Sequence, residues 1–322
     1  MLQYLIIQLD DTSTSYCHYI NKRNESRLIT LDVLREGILF GMKENLMIQY
    51  LLPNYKLPVE YIEVMESIDN SKIASSQSVY ADCADVVVLN EWRADFQFKH
   101  NGVYVLRIDK TRLFDCYHEI KDVIGKCLRL NIVITDIETF TDNDFENYKQ
   151  VLATLSGVIE NLFINGCNVQ LNLLTDRLVL GEMNNCNAGC ENITLAPDGK
   201  FYVCPAFYLV DDEENYGLGK SKFSIGDLAN GLDIKNPHLY KLPYAPICRN
   251  CDAYQCKRCV WLNRKMTFEV NTPSHEQCVV AHLERNASRE LLLNIRKRGD
   301  YFSNIEISEI KYLDPFDVRK EW

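Results

Sequence analysis

Eight cysteines in the second half of the chain follow one spacing, and this spacing constrains the fold more than any other feature. The first three read Cys-x3-Cys-x13-Cys, and the other five read Cys-x2-Cys-x4-Cys-x2-Cys-x18-Cys. They are Cys186, Cys190, Cys204, Cys248, Cys251, Cys256, Cys259 and Cys278. Because four thiolates can hold one iron–sulfur cluster or one zinc ion, eight of them predict two metal centres.

The composition argues against several classes of protein. The chain has 322 residues, of which 47% are hydrophobic, so it can bury a sizeable core. A net charge of -10 without a basic stripe argues against nucleic acid as a partner. No apolar run approaches the ~20 residues that cross a bilayer, and the start of the chain has no secretory pattern. We therefore expect a cytoplasmic protein whose paired cysteines bind metal rather than form disulfides.

The first 170 residues alternate between strand-like and helix-like patterns, which predicts a parallel sheet covered by helices. The expected fold is α/β, a partial (β/α)6 barrel. The predicted strands are Tyr4 to Leu9, Met47 to Leu52, Val86 to Leu89, Val103 to Ile108, Asn131 to Thr135 and Val169 to Leu174. The predicted helices are Thr30 to Asn45, Leu113 to Leu128 and Asn143 to Ile164. Between the second and third strands, a helix near Val59 to Ile68 and then a loop are expected.

The amino-acid composition changes past Met183, where cysteine, glycine, asparagine and proline become frequent. We therefore predict two domains, residues 1–180 and 181–322. In the second, residues 193–203 predict a β-hairpin that turns at Pro197-Asp198-Gly199. Glu276 to Arg296 predicts a helix that carries Cys278 near its start.

The pattern Cys186-x12-Gly199-x4-Cys204, followed by two Cys-x2-Cys pairs and a late cysteine, resembles the SPASM domain. That domain follows the catalytic barrel in many radical SAM enzymes that modify peptides. The resemblance implies two auxiliary [4Fe–4S] clusters with every iron ligated, and hence a structural or electron-transfer role. The ligands implied for the first cluster are Cys186, Cys190, Cys204 and Cys259. The ligands implied for the second are Cys248, Cys251, Cys256 and Cys278. Zinc remains the alternative metal, because four cysteines suit both.

The loop after the first strand departs from the radical SAM pattern. A radical SAM barrel carries Cys-x3-Cys-x2-Cys there, whereas this chain has Asp10-x3-Thr14-x2-Cys17. Cluster iron prefers soft thiolate ligands, so Asp10 and Thr14 are poor replacements. The Gly-Gly-Glu motif after the second strand is also missing. We therefore predict a degenerate barrel that neither binds nor cleaves S-adenosylmethionine.

Cys17 and His18, with Asp10 nearby, are the candidate catalytic residues. A cysteine beside a histidine can be a nucleophile or a metal ligand. Neighbouring residues of an extended segment point in opposite directions, which argues against a direct pair. The alternative is an inherited loop with purely structural side chains. At the end of the strand Val103 to Ile108, Arg107 and Asp109 are expected to pair, and the alternative is that they point inward.

Over its whole length the chain resembles the CXXX repeat peptide maturase family. The resemblance is carried by LDDTS-x2-YCHY, by the stretch Leu34 to Pro58 and by the SPASM-like end. It implies a protein that acts beside a true radical SAM enzyme on a ribosomal precursor peptide with repeated cysteines. Three functions stay open: an accessory protein that passes electrons through its clusters, a metal-stabilised binding scaffold, and a stand-alone peptide-modifying enzyme that uses Cys17.

Overall fold

The computed structural model describes residues 2–209 and 223–302. Within them, one sheet of eleven strands has the order β11-β10-β9-β8-β1-β2-β3-β4-β5-β6-β7. The first seven strands are β1 Tyr4–Gln8, β2 Met47–Leu51, β3 Asn70–Ser75, β4 Val86–Leu89, β5 Val103–Ile108, β6 Arg129–Ile134 and β7 Gln170–Leu171. The last four are β8 Asn192–Leu195, β9 Lys200–Tyr202, β10 Ser224–Asp227 and β11 Gly231–Leu232.

Strands β1 to β7 are parallel to one another, and β8 joins the sheet parallel to β1. Strands β8 to β11 then run antiparallel in sequence. A single sheet therefore runs through both predicted domains. Residues 210–222 and 303–322 of the second predicted domain lie outside the described residues, and the division at residue 180 stays a prediction.

The helices of the described chain connect and flank these strands. They are α1 Leu31–Lys43, α2 Val59–Met65, α3 Lys110–Ile120, α4 Asp142–Ile164, α5 Asp176–Val179, α6 Pro205–Leu209, α7 Val260–Thr267 and α8 His275–Arg296. None of the described helices is long and apolar enough to span a membrane. Helices α4 and α8 pack against each other, so a helix of the first half contacts one of the second.

The parallel α/β architecture and five of the six predicted strands are confirmed, and so are the hairpin and the helix that carries Cys278. The strand predicted over Val169 to Leu174 is formed only at Gln170–Leu171, because the chain turns from Asn172 onward. Gly199 has a φ of 79°, which the turn between β8 and β9 requires. Strand β3 was predicted to be loop, and that prediction is wrong. The sequence of β3, Asn-Ser-Lys-Ile-Ala-Ser, has no apolar run because its first three side chains are only half-buried.

Helix α1 packs against the sheet where the two halves meet. It buries Leu34, Gly37, Ile38 and Gly41 on one face. A side chain at Gly37 would collide with Leu195 of β8, and one at Gly41 would collide with Ile48 of β2. The two glycines thus let the helix lie close to strands of both halves.

Candidate functional site

The loop that follows β1 is held by its own polar groups. The buried carboxylate of Asp10 accepts hydrogen bonds from the backbone N–H and the hydroxyl of Thr12, at 2.8 and 2.5 Å. Its second oxygen accepts from Ser26 at 2.7 Å and from Tyr55 at 3.0 Å. Asp10 is therefore occupied by four hydrogen bonds that give the loop its shape.

Arg107 of β5 fixes the far end of the same loop. Its Nε donates to the carbonyl of Cys17 at 2.9 Å, and its Nη2 donates to the carbonyl of Tyr19 at 2.5 Å. Its Nη1 donates to Asn90 at 2.6 Å, and the amide of Asn90 donates in turn to Thr14 at 3.1 Å. One buried guanidinium thus positions the carbonyls on both sides of His18.

The expected pair between Arg107 and Asp109 is wrong. Asp109 is the N-cap of α3, and its carboxylate accepts a hydrogen bond from the backbone N–H of Arg112 at 2.9 Å. Aspartate is a preferred residue at this position because it satisfies a helical N–H that has no partner within the helix. Arg107, in contrast, uses all three of its nitrogens on the β1 loop and Asn90.

A cavity of about 500 Å³ lies against one face of the sheet. Alternating side chains of neighbouring strands form its wall, and these include Ile6, Gln49, Ile73, Val105 and Val133. The β1 loop contributes residues 16–19, and the second half of the chain contributes residues 184–188, 255–261 and one side of α8. The cavity is therefore enclosed jointly by both halves of the chain.

Cys17 and His18 both line this cavity, contrary to the expectation that they point in opposite directions. The segment bends at these two residues and is not a strand. Burial raises the pKa of the Cys17 thiol to about 11, so the thiol is protonated at neutral pH unless a metal binds it. The Nδ1 of His18 donates to the carbonyl of Ile134 at 2.9 Å, and burial lowers the pKa of the ring. His18 is thus neutral, with Nε2 as an acceptor.

Three of the four cysteines implied for the first cluster line the large cavity, namely Cys186, Cys204 and Cys259. The backbone N–H of Cys186 donates to the carbonyl of Lys257 at 2.6 Å, which brings it beside Cys259. Cys204 lies two residues after the end of β9. The fourth, Cys190, is half-buried in a turn and is not among the described residues that line this cavity.

All four cysteines implied for the second cluster line a separate, small cavity of about 20 Å³. They are Cys248, Cys251, Cys256 and Cys278. Burial raises the pKa of Cys256, and the neighbouring thiols of Cys248 and Cys251 raise it further. The Sγ of Cys251 also lies 3.6 Å from Nε2 of His282, which lines the same cavity.

Arg258 separates the two groups of thiols and lines both cavities. It is fully buried, with Nε donating to Asn185 at 2.6 Å and Nη2 donating to the carbonyl of Tyr240 at 2.7 Å. Its Nη1 is buried and has no hydrogen-bond partner in the described part of the chain. A buried cationic donor between two sets of thiols fits anionic iron–sulfur clusters, which would give this nitrogen a partner.

The donor sets fit clusters by their chemistry. The thiols line the two cavities, and thiolates are ligands of iron–sulfur clusters as well as of zinc. The second Cys-x2-Cys pair is divided between the two cavities. Cys256 lines both of them, whereas Cys259 lines only the large one.

Glu284 of α8 is a buried carboxyl group in the large cavity that sequence reasoning missed. It accepts hydrogen bonds from Tyr148 at 2.7 Å and from Gln255 at 3.3 Å. Burial raises its pKa to about 7. The available signal was its place on the face of α8 that also buries Ala281 and Ser288.

Replacing Glu284 with glutamine is expected to remove a pH dependence of stability. The folded-state pKa of about 7 lies above the unfolded value of about 4.3. The folded protein therefore holds more protons between these values, and its free energy of unfolding falls as pH rises through them. From pH 4 to pH 8, the stability of Glu284→Gln relative to wild type should rise by about 3 kcal/mol. Anaerobic urea denaturation measures this. The exposed Glu290→Gln on the same helix is the control, and parallel curves for Glu284→Gln and wild type would contradict the expectation.

The parallel sheet continues into a hairpin, and together with the β1 loop it encloses one cavity. No protein-family model and no curated protein matches the chain. Among solved structures, it is similar to anSMEcpe with bound AdoMet, at a TM-score of 0.59 and 13% identity over 94% of this chain and 97% of that one. It is also similar to anSMEcpe with bound AdoMet and the Cp18Cys peptide, at a TM-score of 0.59 and 13% identity over 94% and 99% of the two chains.

The chain therefore shares its fold with anSMEcpe. At 13% identity the likeness extends to the fold alone. These neighbours hold AdoMet, that is, S-adenosylmethionine, whereas the β1 loop predicts that this chain does not. The prediction thus stands in conflict with what the neighbours carry, and it needs a direct test.

Proposed function

We propose that this protein is an accessory maturation protein for a ribosomally made peptide with repeated cysteines, acting beside a true radical SAM enzyme. The observation that carries the proposal is the large cavity, onto which the β1 loop and the thiols of Cys186, Cys204 and Cys259 all open. The resemblance to the CXXX repeat peptide maturases supplies the peptide class. The peptide-bound structures of anSMEcpe support peptide binding by this fold.

The cysteines of each cavity would hold one [4Fe–4S] cluster, and when bound the clusters supply one-electron transfer. The protein's own residues bury Cys248 and Cys278 and place the cation of Arg258 beside both cavities. Such buried positive charge favours anionic groups on both sides. The electron would come from a low-potential reductant and pass to the partner enzyme.

The large cavity offers a peptide polar groups at fixed positions. The side chains of Gln49 and Asn131 project from strands, Asn172 lies in the turn after β7, and His18 projects from the β1 loop. His18 presents Nε2 as an acceptor, because its Nδ1–H is bound to Ile134. We assign to His18 a hydrogen bond with a donor of the bound peptide.

We further propose that the protein does not cleave S-adenosylmethionine. Two of the three positions that hold the cluster in a radical SAM loop are Asp10 and Thr14. Both are buried, and their side chains are engaged in hydrogen bonds within the first half of the chain. An iron at this loop would therefore find one thiolate instead of three.

The test is a binding and turnover assay on the intact, anaerobically purified protein. A labelled synthetic peptide with cysteine at every fourth residue is expected to bind, and His18→Phe should weaken binding about tenfold, equal to about 1.4 kcal/mol. His100→Phe, at an exposed histidine, is the matched control. With dithionite and S-adenosylmethionine alone, no 5′-deoxyadenosine should form.

Three outcomes would contradict the proposal. The accessory role fails if wild-type protein binds neither the peptide nor the partner enzyme and leaves product yield unchanged. Formation of 5′-deoxyadenosine would show that the protein cleaves S-adenosylmethionine by itself. A product yield that survives replacement of iron by zinc would favour the metal-stabilised scaffold over electron transfer.

A further inference from the structure

We infer that Cys17 is the fourth cysteine of the first metal centre, in the place that the resemblance implies for Cys190. This inference rests on the proposed function, because it assumes that the thiols of the large cavity bind metal. It assigns to the β1 loop a ligand role in a centre that otherwise belongs to the second half of the chain.

The first argument is position. Four cysteines line the large cavity together, namely Cys17, Cys186, Cys204 and Cys259, in addition to Cys256 of the other centre. Cys190 lines neither cavity in the described part of the chain. It belongs to a tight turn in which its N–H donates to the carbonyl of Asn187 at 3.0 Å, and Asn187 and Gly189 both have positive φ.

The second argument is that hydrogen bonds join the segments that carry the four thiols. The N–H of Cys186 donates to the carbonyl of Lys257 at 2.6 Å, two residues before Cys259. Tyr208 lies in α6, which begins directly after Cys204, and its hydroxyl donates to Asp11 of the β1 loop at 2.5 Å. The β1 loop that carries Cys17 is thus fastened beside the segment of Cys204, and Cys186 beside the segment of Cys259, around one cavity.

The third argument is that Cys17 is held in advance of any metal. Arg107 binds the carbonyl of Cys17 and the carbonyl of Tyr19 two residues later. A loop fixed at both sides of a bend orders the thiol without a metal, so binding needs little further ordering. Cys17 would bind a metal as thiolate, and two cations would favour that charge: Arg107, which holds the carbonyl of Cys17, and Lys257, which lines the same cavity.

This assignment has a consequence for the front of the molecule. The cysteine that would remain of a radical SAM triad is used by another centre, so the β1 loop keeps no thiolate for a separate cluster. A metal bound in this way would also tie the β1 loop to the hairpin and to the segment before α7. The ligand role would then explain why Cys17 is present although Asp10 and Thr14 stand at the other two positions of the triad.

Metal content of four anaerobically purified proteins tests the inference. Wild type and Cys190→Ser should each hold about eight irons and eight sulfides per chain, and Cys17→Ser and Cys186→Ser about four. Circular dichroism checks that each variant folds. If the protein binds zinc, zinc is quantified in place of iron. About two zinc ions per chain are then expected in wild type and Cys190→Ser, and about one in Cys17→Ser and Cys186→Ser.

A measurement on wild type covers the case in which Cys17→Ser fails to fold. In metal-loaded protein, Cys17 should resist alkylation, and it should be labelled once a chelator has removed the metal, as read by peptide mass spectrometry. Full metal content in Cys17→Ser, a half-loss in Cys190→Ser, or alkylation of Cys17 in loaded protein would each overturn the inference while the proposed function stands. Wild-type protein without bound metal would overturn the proposed function, and this inference with it.

Discussion

Replacing Cys256 with alanine is expected to remove about four of about eight irons and to lower the free energy of unfolding by more than about 4 kcal/mol. Cys256 lines the small cavity with Cys248, Cys251 and Cys278. Arg258 follows two residues later, and its backbone N–H donates to the Cys256 sulfur at 3.4 Å. Loss of this thiolate should open the second centre and disturb the wall that it shares with the first.

The size of this effect follows from how little else holds the region together. Between β11 and α7, the described chain forms only two short 3₁₀ helices, Pro237–Tyr240 and Leu242–Tyr244. The hydrophobic cluster beneath them consists of Met183, Ala245 and Cys248. A core this small stabilises weakly, whereas a structural metal site can contribute on the order of 10 kcal/mol to folding.

Iron and sulfide quantification, followed by limited proteolysis, measures the result. The segment between β11 and α7 should become the first site of cleavage in Cys256→Ala. Cys83→Ala replaces an exposed cysteine of the first half and should leave iron content and proteolysis unchanged. Eight irons and wild-type resistance to protease in Cys256→Ala would show that this thiol binds no cluster.

Replacing Arg107 with leucine is expected to destabilise the protein by about 3–5 kcal/mol and to release the β1 loop. Only 6% of Arg107 is exposed, and its three donors satisfy the carbonyls of Cys17 and Tyr19 and the side chain of Asn90. Leucine would leave these acceptors buried without a donor, and each such group costs about 1–3 kcal/mol.

Urea denaturation gives the change in unfolding free energy, and hydrogen exchange at residues 10–20 gives the change in loop order. Arg107→Lys keeps the charge but not the fork of three donors, so about half of the stability should return. Arg112→Leu, on the exposed face of α3, is the matched control and should stay within about 0.5 kcal/mol of wild type. If Arg107→Leu also stayed within about 0.5 kcal/mol of wild type, Arg107 would not be the anchor of the loop.

The strands of the sheet differ in how well the sequence predicts them. Strands such as Met47–Leu51 and Val103–Ile108 are short apolar runs, and buried parallel strands need such runs. Strand β3 lacks one, because Asn70, Ser71 and Lys72 are only half-buried, and its position is decided by pairing with β2 and β4. Pairing of this kind is a property of the sheet rather than of the segment.

The cysteine spacing by itself indicated two centres, because eight thiols make two sets of four, and the resemblance to the SPASM domain implied which thiols share the small cavity. Only the tertiary structure decided the rest: that Cys17 and Cys259 line one cavity, that Arg258 lines both cavities, and that Glu284 meets Tyr148 in the interior. The physical reason is separation. Local spacing acts over one or two turns of backbone, whereas these contacts join residues far apart in sequence, and only the packing of α8 and the β1 loop against one sheet brings them together.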